Sequence, residues 1–231
     1  MTWVVVPAAG RGERFGADLP KQYLPILGRP LLTHTLERLA RHPGVSGLLV
    51  VHALNDPHYP GWRELHGKPV LACVGGATRA DSVLAGLEAL PSKVSGKDWV
   101  LVHDAARPCL RQDDLTRLLA HGCAHAVGAV LAAPVHDTLK RSNDLGEIVR
   151  TEPRTQLWRA LTPQLFRRAT LTRAMQAAIA AGASITDESM AIERLGLSPM
   201  VVEGADDNIK LTTPADAAVI EFVLGRMGRE A

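Results

Sequence analysis

The segment VVVPAAGRGERFGADLPKQY, residues 4–23, runs from an apolar strand straight into glycines and small residues, then into Arg14 and Lys21. Its apolar run is continuous rather than alternating, which marks a strand covered on both faces, as in a parallel sheet. Similar runs follow: GLLVVHA from Gly47, PVLACV from Pro69, DWVLVHD from Asp98 and AVGAVLAAPV from Ala126. Helix-period segments separate them. PLLTHTLERLARH places Leu31, Thr35, Leu36 and Leu39 on one face. ADSVLAGLEAL does the same with Val83, Leu84, Leu87 and Leu90, with Asp81 or Ser82 near its start. QDDLTRLLAHG reaches Gly122, read as a C-cap. Strand and helix alternating at this spacing predict a doubly wound, mostly parallel α/β sheet.

The stretch Asn55 to Gly67 is less regular and reads as a weak helix. Beyond Pro134 the rhythm changes. HDTLKRSNDLGEIVRTEPRTQLWRALTPQ is polar and carries a turn signal at SNDLG, which predicts a β-hairpin. QLFRRATLTRAMQAAIAAG and TDESMAIERLG then read as helices, PMVVEG as a strand, and Thr213-Pro214 as the opening of a final helix. No repeat, low-complexity tract or flexible linker interrupts the chain. Residues 1–231 therefore read as a single domain, with the hairpin at about 135–157 as an excursion from it.

Composition narrows the class. The chain has 231 residues, enough for a sizeable core, with 46% apolar and 22% charged residues. A net charge of +2 implies neither a nucleic-acid nor a membrane-surface partner. TWVVVPAAG is too soon broken for a secretion signal, and no run approaches the roughly 18 apolar residues of a membrane span. Cys73, Cys109 and Cys123 form no C-x-x-C pair, as expected for reduced thiols in a cytoplasmic enzyme. The HGCAH run at residues 121–125 has two histidines flanking a cysteine but no fourth ligand nearby, so zinc is not expected there.

The glycine segment is the chemical signal. Without Cβ atoms, a turn can bring its backbone N–H groups close to a phosphate. No G-K-[ST] follows, so it is not a P-loop; Gly10, Gly12 and Gly16 give G-x-G-x-x-x-G, which misplaces the third glycine of a dinucleotide fingerprint. Arg14 and Lys21 in the same segment favour a phosphate site over a plain tight turn.

This loop resembles the signature of nucleotidyltransferases that join a nucleoside monophosphate to a sugar phosphate. GGATRADSVLAGL (75–87), VLVHDAARP (100–108), ITDESMAIERLG and DNIKLTTPAD (within 185–216) narrow the likeness. Together they resemble the 2-C-methyl-D-erythritol 4-phosphate cytidylyltransferases of the non-mevalonate isoprenoid pathway, in order and over nearly the whole chain. The resemblance implies a Rossmann-like nucleotidyltransferase fold, CTP and methylerythritol phosphate as substrates, a Mg²⁺ ion, and a homodimer formed through the hairpin arm. It places Arg14 and Lys21 on the α-phosphate and pyrophosphate, and Ala8, Ala9 and Gly10 against the nucleotide. Gly76 and Ser82 would read the cytosine; Ala77 stands where relatives often carry an acid, leaving recognition to backbone and Ser82. Asp104 would help hold the metal, with Ala105 near the ribose and Arg107 near the substrate. Thr138, Thr162 and Thr186 would contact methylerythritol phosphate, while Arg154 and Lys210 would bind its phosphate. Another polyol phosphate such as ribitol 5-phosphate, or a non-catalytic nucleotide sensor, remains the alternative.

Overall fold

Val4, Val5 and Val6 form the middle of a central strand because their branched side chains fit a pleated surface buried on both sides. The computed structural model of the chain describes residues 1–10 and 19–228. Gly12, Arg14 and Gly16 lie outside the described residues. The first half contains β1 (Thr2–Pro7), β2 (Pro25–Ile26), β3 (Arg29–Pro30), α1 (Leu31–Arg41), β4 (Gly47–His52), β5 (Glu64–Leu65), β6 (Lys68–Val74), α2 (Arg79–Glu88), β7 (Trp99–Val102) and α3 (Gln112–Ala124). The second contains β8 (Gly128–Pro134), β9 (Lys140–Ser142), β10 (Ile148–Thr151), β11 (Trp158–Arg167), α4 (Arg168–Ala180), α5 (Glu188–Glu193), β12 (Met200–Glu203) and α6 (Pro214–Met227).

The main sheet has the order β12-β8-β11-β7-β1-β4-β6-β5. β1 pairs in parallel with β4 and β7, β4 with β6, and β8 with β12. β11 runs antiparallel between β7 and β8. The expected doubly wound, mostly parallel sheet is thus present. Alternation along β1 sends Val4 and Val6 to one face, with Leu36 and Leu39 of α1 and Leu115 and Leu118 of α3. Trp3 and Val5 go to the other, with Val83 and Leu87 of α2 and Met175 of α4. After β1 the chain builds outward to β4 and β6, then returns to place β7 on the opposite side. That reversal opens a crevice at the carboxyl ends of β1 and β7, where open α/β sheets hold ligands.

Several local expectations change. The weak helix over Asn55–Gly67 is instead irregular chain ending in β5, its Pro57 and Pro60 unable to supply helical N–H donors. β6 lies near the sheet edge, so Leu71 and Val74 are exposed rather than covered on both faces. The helix expected from Gln164 starts at Arg168, because Gln164–Arg167 pair with β7 as the end of β11. The two-stranded hairpin is confined to β9 and β10. α2 has Asp81 in its first turn, as expected, and its cap is Thr78, which forms a reciprocal capping box with Asp81. α3 continues past Gly122 to Ala124. Gly122 is there for contact: a Cβ on it would sit 2.8 Å from Leu165 Cδ2 and 3.0 Å from Ala129 Cβ.

Two glycines give opposite expectations. Gly128 has φ +125°, and a Cβ would lie 2.2 Å from the Leu165 carbonyl oxygen. Gly128→Ala should cost at least about 2 kcal/mol of stability in urea denaturation. Gly225, inside α6 with open space around it, should gain up to about 1 kcal/mol on substitution by alanine.

Candidate active site

Three sheet-to-helix connections meet at the crevice. Pro7, Ala9 and Gly10 leave β1; Gly76, Ala77, Thr78, Arg79 and Ser82 follow β6; Asp104, Ala105 and Ala106 follow β7. Lys21, Gln22 and Lys210 complete a cavity of about 330 Å³. Lys21 begins a single helical turn after β1, and buried Gln22 anchors that turn by donating from Nε2 to the Ala8 carbonyl at 2.7 Å. Lys21 Nζ donates to the Leu211 carbonyl at 3.3 Å.

Gly76 is a glycine because a Cβ there would lie 2.3 Å from the Asp81 Cβ. Its N–H donates to Ser82 Oγ at 3.2 Å, and that hydroxyl donates to the Thr78 carbonyl at 2.9 Å. Ser82 therefore shapes the turn that lines the cavity. Ala105 is held from behind by Thr35 Oγ1, which donates to its carbonyl at 2.9 Å.

Asp104 is the one carboxylate lining the cavity among the described residues. Arg79 Nη2 lies 3.1 Å from its Oδ1, while Lys210 Nζ and Arg107 Nε lie 2.8 and 3.5 Å from its Oδ2. Burial would raise this carboxyl, but the three cations outweigh burial and hold it well below the usual carboxylate range. The Asp104 N–H donates to Thr162 Oγ1 at 3.0 Å. Thr162 reaches it because the β11–β8 register shifts between Ala160 and Gln164, which re-aims the strand. The fully buried His103 is pushed down to about 4 by burial, so it is neutral near pH 7. Its Nε2 then donates to the Arg107 carbonyl at 2.9 Å, and its Nδ1 accepts from the Thr162 hydroxyl at 3.0 Å.

Of the residues singled out in the sequence, the structure gathers Ala9, Gly10, Lys21, Gly76, Ser82, Asp104, Ala105 and Lys210 around one cavity, with Ala8 beneath it. Arg107 and Thr162 lie behind Asp104 rather than in the lining. Thr138, Arg154 and Thr186 are exposed and line no part of it; Arg154 donates to the His136 carbonyl. His125 Nδ1 accepts from the N–H groups of Val127 and Gly128, so the HGCAH run serves a turn.

Sequence reasoning missed Arg79, which bridges Asp104 to Glu188, a carboxylate with 0% exposure. Arg79 stands in GGATRADSVLAGL and Glu188 in ITDESMAIERLG. No local signal marked them, since Arg79 stands close to Thr78 and Asp81, and Glu188 between Asp187 and Ser189, in ordinary polar runs.

The family model for 2-C-methyl-D-erythritol 4-phosphate cytidylyltransferase (IspD) matches residues 2–226. The chain belongs to the 2-C-methyl-D-erythritol 4-phosphate cytidylyltransferase family. It is a nucleotidyltransferase by that membership. The Stenotrophomonas maltophilia cytidylyltransferase is 62% identical over 224 residues, covering 97% of each chain. The Xanthomonas campestris pv. campestris cytidylyltransferase is 62% identical over 227 residues, 98% of this chain and 86% of that one. Among solved structures, the Francisella tularensis cytidylyltransferase superposes with a TM-score of 0.82 at 32% identity, covering 96% and 99% of the two chains. The Thermus thermophilus enzyme gives 0.75 at 32% identity, covering 96% and 98%.

The neutral His103 makes a pH prediction. Its folded pKa lies below its unfolded value, so the unfolded cytidylyltransferase binds the extra proton and folding stability falls as pH drops from about 6.5 toward 4. The slope should reach up to roughly 1.4 kcal/mol per pH unit. Glu188, raised by burial, contributes with the opposite sign, so the comparison that isolates His103 is with His103→Leu. Urea denaturation should find that variant less stable at pH 7 but with a shallower decline on acidification.

Proposed function

We propose that this cavity transfers a cytidylyl group from CTP to 2-C-methyl-D-erythritol 4-phosphate, releasing pyrophosphate. A phosphate oxygen of the polyol attacks the α-phosphorus of CTP; the bond from that phosphorus to the bridging oxygen breaks, and pyrophosphate leaves with the electron pair. The nucleophile is already ionised at neutral pH, so the site needs no general base. What it needs is fixed positive charge where two anions meet and where charge builds on the leaving group. The observation that carries the reading is one cavity at the sheet's switch point, lined by Lys21, Arg79 and Lys210, with one carboxylate among them.

In this reading Lys21, with Arg14, stabilises the α-phosphate and the departing pyrophosphate. Ala8, Ala9, Gly10, Gly76, Ser82 and Ala105 hold the nucleoside. Arg107 and Thr162 serve the polyol side through Asp104, which they hold from behind, and Thr186 meets the part of the polyol that extends beyond the cavity. Among the described residues no three His, Cys, Asp or Glu side chains cluster as a metal site. One carboxylate at the cavity fits Mg²⁺ arriving with the triphosphate, since Mg²⁺ keeps several waters and uses one or two carboxylates plus phosphate oxygens. Asp104 would hold it, and the ion when bound neutralises phosphate charge. Cys73, Cys109 and Cys123 are free thiols and no described helix is long and apolar enough to cross a membrane, which supports a cytoplasmic enzyme.

The arm supports a homodimer. Every residue of β9 and β10 is exposed, with Ile148 at 66% and Val149 at 61%. A two-stranded hairpin alone is marginal in water, so a second subunit is the reading that gives it a partner. Thr138 and Arg154 then reach the neighbour's cavity rather than their own, where Arg154 meets the polyol phosphate.

Three measurements test this. Pyrophosphate release, with CTP and UTP crossed against methylerythritol phosphate and ribitol 5-phosphate, should be fastest for CTP with methylerythritol phosphate; equal rates with ribitol phosphate would move the assignment to the alternative substrate. Lys21→Ala should fold normally and lose about 10²–10³ in kcat. Finally, Lys21→Ala and Arg154→Ala chains co-expressed should recover roughly a quarter of wild-type activity, because about half the dimers are mixed and each mixed dimer has one intact site. No recovery in demonstrated mixed dimers would place Arg154 in its own chain's site.

A further inference from the structure

Arg79 lines the cavity, yet most of its donors are already committed. A guanidinium presents five N–H groups in a fixed fork. Nη1 reaches Glu188 Oε1 at 2.6 Å and Nη2 reaches Glu188 Oε2 at 3.2 Å, a two-point grip. The second Nη2 hydrogen and Nε face Asp104 Oδ1 at 3.1 and 3.4 Å. One Nη1 hydrogen remains, so Arg79 has little to offer a phosphate. Lys210 differs. It holds the other Asp104 oxygen through a single ammonium contact, on a flexible stem whose side chain is 38% exposed.

Glu188 has no solvent to stabilise its charge and sits in the first turn of α5, which Asp187 caps by accepting the Met190 N–H at 3.0 Å. α5 is fixed to β11 as well: Gln164 donates to Asp187 at 2.9 Å and accepts the Ser189 N–H at 2.8 Å. The carboxylate is therefore delivered to Arg79 by a rigid element.

We propose that Glu188 is a positioning residue for cytidylyl transfer: by clamping Arg79 it keeps Oδ1 of Asp104 engaged, so that Lys210 is the cation that leaves Asp104 for the substrate phosphates. The inference rests on the reading of the cavity given above. Of the three cations on Asp104, Arg107 lies outside the cavity lining, and Glu188 decides which of the other two yields. With Glu188 neutralised, Arg79 is freed to follow the incoming phosphates, and Asp104 loses the contact that fixes its orientation.

The test is a double-mutant cycle on the full-length protein between Glu188→Gln and Asp104→Asn. Glu188→Gln keeps the size of the side chain and should stay folded, with kcat lowered about tenfold or more and KM for CTP much less affected, the loss typical of a displaced reacting group. Because Glu188 acts through Asp104, the double variant should lose no more than Asp104→Asn alone. Glu188→Gln with kcat within twofold of wild type, or losses that multiply in the double variant, overturns the proposal. If Glu188→Gln fails to fold, Arg79→Met with Glu188→Leu replaces the ion pair by an apolar pair of similar volume. That protein should fold and still show the kcat loss; full activity in it overturns the proposal. A wild-type protein that releases no pyrophosphate refutes the substrate reading instead. The same cycle is then read in calorimetric affinity for inorganic pyrophosphate, where non-additive changes uphold the positioning role and additive ones refute it.

Discussion

Asp104 is nearly buried, and burial by itself would push its carboxyl up; the guanidinium of Arg79 and the ammonium of Lys210 reverse that shift. Much of the site's architecture serves this one balance. β7 delivers the carboxylate to the carboxyl edge of the sheet, and α2 begins with Arg79 against it. The chain before α6 returns Lys210 from the opposite side. β11 breaks register so that Thr162 can hold the Asp104 backbone, and His103 fixes the direction of the Thr162 hydroxyl in turn. A buried ion cluster of this kind contributes little net stability, since desolvation offsets most of the attraction. Its use is geometric: it presets opposite charges at a spot where an anionic ligand can exchange places with a carboxylate.

The sheet was legible because parallel strands buried on two faces leave continuous apolar runs, and β1, β4, β7 and β8 carry them. β11 was not. WRALTPQLFR mixes charge, proline and apolar residues because its first three residues are exposed beside the hairpin and the next six are buried. A strand whose environment changes midway has no single period to find. Gly122 misled for a related reason: glycine near a helix end signals a cap, but here it permits close approach of α3 to Ala129 and Leu165.

In the site, residues carried by short glycine-rich or strand-end motifs were found, because those motifs place chemistry and conformation together. Lys21, Gly76 and Asp104 belong to this group, while Lys210, within DNIKLTTPAD, was flagged by the family resemblance alone. Arg79 and Glu188 were not found, since their meaning lies in a contact across 109 residues that no local pattern encodes. Thr162 shows a third case. Its position was flagged, but its hydroxyl is directed at backbone rather than at the cavity, and only the strand irregularity around it reveals that.

The separations along the chain bear on how the protein comes to exist. Lys21 meets Leu211 across 190 residues, Arg79 meets Glu188 across 109, and Arg107 meets Asn208 across 101. Contacts this remote form late, because loop-closure entropy must be spent before they return anything. Synthesis at about 5–20 residues per second leaves β1 waiting many seconds for the segment that completes its crevice. During that interval the nascent chain holds Lys21 and Asp104 but lacks Leu211 and Lys210, which meet them in the folded protein. The crevice is therefore completed only when the segment around Lys210 and Leu211 docks, well after the stretches that carry Lys21 and Asp104 have emerged.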